Sequence, residues 1–281
     1  MDQTFTCFLL LLSLSATFGK YVYVKEPKTW HDAQDHCRLF HTDLAPISNS
    51  HDMWLLSRLV DDFRNYFWIG LVRNTDGETW MWSGGGRVSR FFWAQGQPEN
   101  RDDEDYGLIR DFVWHDATLH HNLQFFCYSA IVVRQRKTWE EALDYCRKHH
   151  HDLASVASET EMLLIKKELD KNDTTDYVWV GLHYFSGHWL WVDGQTLSYK
   201  AWGQGGKPAC PEVRLACAAL RMEAQKPSTA GSGEDPTGGH GGGILFNNVP
   251  NVSRSSDATE EGTESVWEAR HCEERHYFIC Y

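Results

Sequence analysis

Apolar positions along the chain recur in a fixed order of periods. Tyr21–Val24 is short, aromatic and β-branched, which predicts a strand. Thr29 then heads a stretch in which Trp30, Ala33 and Cys37 fall on one helical stripe, so a helix is expected through about Leu39. A second helical stretch covers roughly Ser50 to Phe63. Phe67–Leu71 is a continuous apolar run that reads as a buried strand, and Trp80-Met81-Trp82 alternates with period two. Phe125-Phe126-Cys127 closes the first half.

The same order then starts again. Thr138-Trp139, Ala142, Cys146-Arg147 and Asp152-Leu153-Ala154 repeat Thr29-Trp30, Ala33, Cys37-Arg38 and Asp43-Leu44-Ala45 at an offset of 109. Val178-Trp179-Val180-Gly181-Leu182 repeats the first Trp-Ile-Gly strand, and Trp189, Trp191 and Trp202 repeat Trp80, Trp82 and Trp93. Such a series implies duplication. Thr138 with Glu141 forms a capping-box pattern that supports the second helix start. Trp267 answers Trp114 at an offset of 153, so the second copy carries 44 additional residues. They fall between about Glu223 and Glu264, rich in Gly, Ser and Pro, and predict a disordered surface loop.

Length and charge narrow the function. The 281 residues suffice for two ordinary domains, and a net charge of −12 disfavours nucleic acid or an anionic membrane as partner. Phe5–Phe18 is apolar, with Thr17 and Gly19 suited to cleavage before Lys20, which predicts a secretory leader over 1–19. No later stretch is apolar enough to insert in a membrane, so a secreted, extracellular protein is expected. Of the 8 cysteines, Cys7 leaves with the leader. Those remaining should be mostly bridged in that compartment, and their odd number leaves one over. Asn172-Asp173-Thr174 and Asn251-Val252-Ser253 are glycosylation patterns.

The chemistry concentrates in Trp93-Ala94-Gln95-Gly96-Gln97-Pro98-Glu99-Asn100, followed by Asp102, Asp103, Glu104, Asp105 and Trp114-His115-Asp116. A proline between two oxygen-bearing side chains stiffens the backbone, can take the cis form and can aim both at one point. Converging oxygens are what calcium requires.

This loop and the ordered repeat resemble the C-type lectin family. The resemblance implies an α+β fold: two tandem C-type lectin-like domains over 20–129 and 130–281, each with two helices, small antiparallel sheets and a long loop region. It implies Cys37–Cys127 and Cys146–Cys280 as closing disulfides and Cys217–Cys272 as an inner one. In the first domain Tyr106 and Leu119 occupy the inner pair's positions, so that loop should be the more mobile. Cys210 is left over: free, capped, or bridged to another chain in an oligomer. The resemblance further implies calcium in the first domain, on Gln97, Glu99, Glu104 and Asp116, with a sugar bound by the same residues and His115. Amide before carboxylate is the galactose-type order.

Two departures bear on this. Glu99 stands where the family has Asp, and His115 where it has Asn; an imidazole is a poor ligand for a hard cation. In the second domain Gly205-Gly206-Lys207-Pro208-Ala209 and Glu268-Ala269 replace the ligand triplet and the Asn-Asp, so no sugar-site calcium is expected there. His149-His150-His151 reads as a solvated turn rather than a zinc site, and His120 and His121 flank the loop. Two functions follow: binding of glycans or glycoproteins, on microbes or host, or calcium-independent binding of protein ligands. No nucleophile–base pair or phosphate-cradling loop marks an enzyme.

Overall fold

The fold is taken from a computed structural model, which describes residues 15–74, 77, 79–101, 103–171, 177–203, 206–209, 215–222 and 266–281. Asp102, Gly205, Cys210, the insert and both glycosylation patterns lie outside the described residues.

Each half begins with a strand and a capped helix. β1 (Ser15–Phe18) pairs antiparallel with β2 (Tyr21–Lys28), within the stretch expected as leader. Thr29 caps α1 (Trp30–Phe40) by accepting from the Asp32 amide, and the helix buries Trp30, Ala33 and Cys37. β3 (Asp43–Leu44) leads to α2 (Ser50–Ser57), capped by Asn49. This helix stops short of the expected Phe63. Asp62 accepts from the Arg64 amide and guanidinium, a local turn that competes with helix. β4 (Phe67–Arg73), β5 (Trp80–Trp82), β6 (Tyr106–Arg110), β7 (Val113–Ala117) and β8 (Leu123–Tyr128) complete the half. The second half repeats it as β9 (Ile131–Lys137), α3 (Trp139–His149), α4 (Glu159–Asp170), β10 (Tyr177–Phe185), β11 (His188–Trp191), β12 (Cys217–Arg221), β13 (Val266–Arg270) and β14 (His276–Cys280).

The sheets share one topology. The first runs β1-β2-β8-β4-β6-β7 and the second β13-β12-β10-β14-β9. In each, the opening and closing strands pair antiparallel, and the closing strand lies parallel to the Trp-Gly strand. Cys37–Cys127 and Cys146–Cys280 fasten that closure, as expected, and Cys217–Cys272 forms as well. On a chain-entropy basis the long closures contribute about 4–5 kcal/mol each. The indoles are positioned alike: Trp30 and Trp139 donate to Ile69 O and Val180 O, both at 2.9 Å. Gly70 and Gly181 are required where the strand crosses the preceding chain, because a Cβ would sit 2.8 Å from Leu44 O or 2.5 Å from Leu153 O. Tyr106 takes the register of Cys217. Its ring packs 4.9 Å from Trp30 and its hydroxyl lies 3.0 Å from His31 Nε2, an aromatic cluster in place of the second domain's disulfide.

The halves dock through a shared apolar core, in which Leu56, Tyr128, Leu164, Ile165 and Tyr281 all take part. Counterparts meet counterparts. Tyr128 and Tyr281 bring their hydroxyls to 2.9 Å, and Asp52 of α2 and Glu161 of α4 face one cation, the pattern of a two-fold interface built within one chain. That cation is Lys20. It is 1% exposed, with Nζ 2.7 Å from Asp52 Oδ1 and 2.5 Å from Glu161 Oε1. The other oxygens of the two acids accept from the amides of Ser48 and Ala157, ahead of each helix. The turn at Gly84 and Gly86 lies so close to α4 that a Cβ at either would clash with Leu164 or Thr160, and Lys167 Nζ donates to Gly84 O at 2.7 Å.

Breaking a buried charge set by removing one member leaves uncompensated charge. Lys20→Met is expected to cost about 3–5 kcal/mol in urea unfolding. Burial, opposed by Lys20 and reinforced by Asp52, pushes Glu161 up to about 7. A raised carboxyl favours the folded state below its unfolded value near 4.5 and loses that contribution as pH rises through about 7. His36, His41, His115, His150 and His183, all pushed down by burial, give the opposite slope. The Glu161 part is therefore read by difference. Relative to Glu161→Gln, the parent should lose stability between pH 5 and pH 7.5 by denaturant unfolding.

Candidate functional site

Trp93 positions the candidate loop. Its ring packs 4.9 Å from Trp80 and 5.8 Å from Trp114, and its backbone bridges to Trp114 in β7. Ala94 donates to Trp114 O at 2.9 Å, and Trp114 to Phe92 O at 2.8 Å. The loop thus runs beside the strand that carries His115 and Asp116. Gly96, at φ +83°, turns the chain, and the Gln97–Pro98 bond is cis, as the sequence allowed.

Asp116 holds the loop in place. Its carboxylate accepts from the amides of Glu99 at 3.0 Å and Asn100 at 2.6 Å, while its own amide donates to Gln97 Oε1 at 3.2 Å. Gln97, Glu104, His115 and Asp116 line one hollow of about 380 Å³, with Tyr66 and His121 on its walls. Glu99 does not line it; its carboxylate pairs with Arg101 at 2.6 Å. Glu104 Oε2 accepts from the Arg101 amide at 3.2 Å. Asp105, also in the acidic run, pairs with Arg73 at 2.6 Å and serves the scaffold. Tyr66 and Arg101 were not expected at the site. Arg101 was legible as a cation two residues from Glu99, whereas Tyr66 is distant in sequence and comes from just before β4, edge-on to His115 at 5.8 Å. Burial first, then Arg110, holds His115 below its usual 6.5, against the pull of Asp116.

The donors suit a hard cation in type: two carboxylates and an amide oxygen on one hollow. They fall short in number while Arg101 holds Glu99. Among the described residues, the only trio of His, Cys, Asp or Glu donor atoms within 4.8 Å of one another is His183 with Cys217 and Cys272, whose sulfurs are joined. No three of the described loop acids and His115 therefore bring their donor atoms that close together.

The second domain uses the matching place differently. Glu268, at the position of His115, accepts from Tyr177 at 2.7 Å and pairs with Arg221 at 2.9 Å, and Ala269 replaces Asp116. Pro208 O and Ala209 O accept from Trp189 and Tyr184, tying that loop to the scaffold. In the histidine run, His149 packs 4.5 Å from Tyr145 and the His151 amide donates to Tyr281 O.

The sequence profile described as the Lectin C-type domain matches residues 26–129 and 135–237. The chain belongs to the C-type lectin domain family. It is similar to C-type mannose receptor 2 of Rattus norvegicus, 22% identical over 62% of this chain and 14% of that protein. It is also similar to secretory phospholipase A2 receptor of Oryctolagus cuniculus, at 22% over 65% and 15%, and to L-selectin of Bos taurus, at 29% over 39% and 32%. The chain spans about a seventh of the length of the first of these relatives. Among solved structures, human lithostathine matches 42% of this chain and 97% of its own, with 22% identity and a TM-score of 0.37. The mouse scavenger receptor C-type lectin carbohydrate-recognition domain matches 41% and 94%, with 22% identity and a TM-score of 0.37. As a C-type lectin-domain protein, the chain carries the family's fold twice, and only its first copy keeps a carboxylate where β7 meets the loop.

Since Asp116 alone anchors two loop amides, Asp116→Ala should release them. Hydrogen exchange at Glu99 and Asn100 is expected to quicken at least tenfold, with exchange in β2 and β8 unchanged.

Proposed function

We propose that this protein is a secreted, extracellular lectin that binds glycans through the hollow beneath the Trp93–Asn100 loop of its first domain. The domains would span 20–129 and 130–281, after removal of a leader over 1–19. Calcium would be held by Gln97, Glu104 and Asp116, joined by Glu99 on leaving Arg101, and galactose would be preferred over mannose. Bound there, the ion would supply a fixed charge to which a pair of sugar hydroxyls adds. The protein's part is to orient the amide and carboxylates around it and to place Tyr66 and His115 beside the sugar.

One observation carries this reading: Asp116 grips the loop backbone while Gln97 accepts from Asp116, so the two sequence stretches that hold the donors face one cavity. Single shallow sites bind weakly, and useful avidity needs several copies. Cys210 would supply the link between chains.

The Glu99–Arg101 pair favours a second reading, a calcium-independent module for protein ligands. The relatives' names point both ways, one to mannose and one to a phospholipase.

Calorimetry on the full chain separates the two. Uptake of one calcium per chain is expected, together with retention on immobilised galactose that a chelator abolishes. Arg101→Ala, which frees Glu99, should tighten calcium several-fold. Absence of a calcium heat, or retention unaffected by chelator, would overturn the lectin mechanism in favour of protein binding.

A further inference from the structure

Where α2 and α4 begin, the two domains enclose a hollow of about 410 Å³. The first domain contributes Ser48, Ser89, Arg87 and Arg90; the second contributes Tyr199 and, at the rim, Glu159.

The wall formed by the first domain is basic. Among the described residues several arginines hold a carboxylate: Arg38 with Asp43, Arg73 with Asp105, Arg147 with Asp152, Arg221 with Glu268 and Arg270 with Glu274. Arg87 and Arg90 are exposed, and among the described residues neither is recorded in an ion pair. Arg90 instead lies 5.1 Å over Phe92. In the duplicated sequence their counterparts are Thr196 and Tyr199, so the cationic wall arose on one side only. The facing wall is aromatic and hydroxylic. Tyr199 packs edge-on to Trp267 at 5.7 Å, and Ser198 lies beside it on the lining. Ser48 Oγ is buried without a hydrogen-bond partner.

This hollow also depends on the clasp. The Ser48 amide donates to Asp52 at 2.7 Å, and the amide of Ala157, another lining residue, donates to Glu161 at 2.8 Å. Both acids hold Lys20. The hollow therefore exists only while the domains are docked.

We infer that the cleft between the domains is a second ligand site, taking an acidic sugar whose sulfate or carboxylate sits on Arg87 and Arg90 while its ring and hydroxyls meet Tyr199 and the serines. Guanidinium groups match such planar or tetrahedral oxyanions with paired N–H donors. An aromatic wall suits the apolar face of a sugar ring. Glu159 at the rim disfavours a densely charged polyanion and selects a singly charged residue. The site needs no metal, so it stands independently of the calcium reading of the first loop.

The test uses the full chain with a chelator present throughout, which silences any calcium-dependent binding. Galactose 3-sulfate, galacturonic acid, inorganic sulfate and galactose are titrated in turn, followed by calorimetry and by amide chemical shifts. Saturable binding of at least one acidic sugar is expected, tighter than inorganic sulfate, with neutral galactose silent. Arg87→Ser with Arg90→Ser, at exposed positions that leave the core intact, should weaken that binding at least tenfold. Arg87→Lys with Arg90→Lys should restore part of it. Lys20→Met, which leaves Asp52 and Glu161 without their cation behind the Ser48 and Ala157 amides, should weaken it. Equal binding by the double serine variant, sulfate binding as tightly as its sugar, or no saturation by either acidic sugar would overturn the site.

Discussion

A single ammonium group holds the two halves of this molecule in register. Lys20 lies between Asp52 and Glu161 with almost no exposure. Charges withdrawn from solvent in this way contribute little net stability, but they penalise every arrangement in which they do not meet. The surrounding apolar core supplies the attraction; the lysine and its two acids specify the alignment. Because both acids also cap the amides ahead of α2 and α4, the clasp sets the helix starts, and through them the walls of the cleft.

Duplication explains why one lysine meets two acids. Asp52 and Glu161 are counterparts in the repeat, whereas the counterpart of Lys20 is Ser129. Two copies with identical ends would bring two cations to the axis. This chain brings one, so the second acid adds to the upward push that burial already exerts on Glu161 and that Lys20 opposes. The same divergence runs through the surface. One loop keeps Gln97 and Asp116 aimed at a hollow, while its twin spends Glu268 on Arg221 and Tyr177. The scaffold beneath both is unchanged, held by the same indole bonds and closing disulfides. Loop chemistry could therefore differ between the copies while the fold stayed the same.

Much of this was legible in residue order. Thr29 and Thr138 announce helix starts because a hydroxyl can satisfy an open amide locally. The Trp-Gly strands announce themselves because only glycine passes the carbonyls of Leu44 and Leu153. The family's cysteine order placed all three observed disulfides. The placement of the candidate site was legible in part. Gln97, Glu104, His115 and Asp116 do share a cavity, but Glu99 turns to Arg101, a competition between neighbours that spacing does not rank.

What the sequence determined by itself is whatever depends on near neighbours or on repetition: helix caps, strand periods, the twofold repeat and the motif loops. What only the tertiary structure decided is the company kept by distant charges. Lys20 looked like an ordinary polar residue at a chain start, yet it is among the most deeply buried cations of the fold. The physical reason is that burial is a property of surfaces meeting, and the partners of Lys20 stand 32 and 141 residues away along the chain.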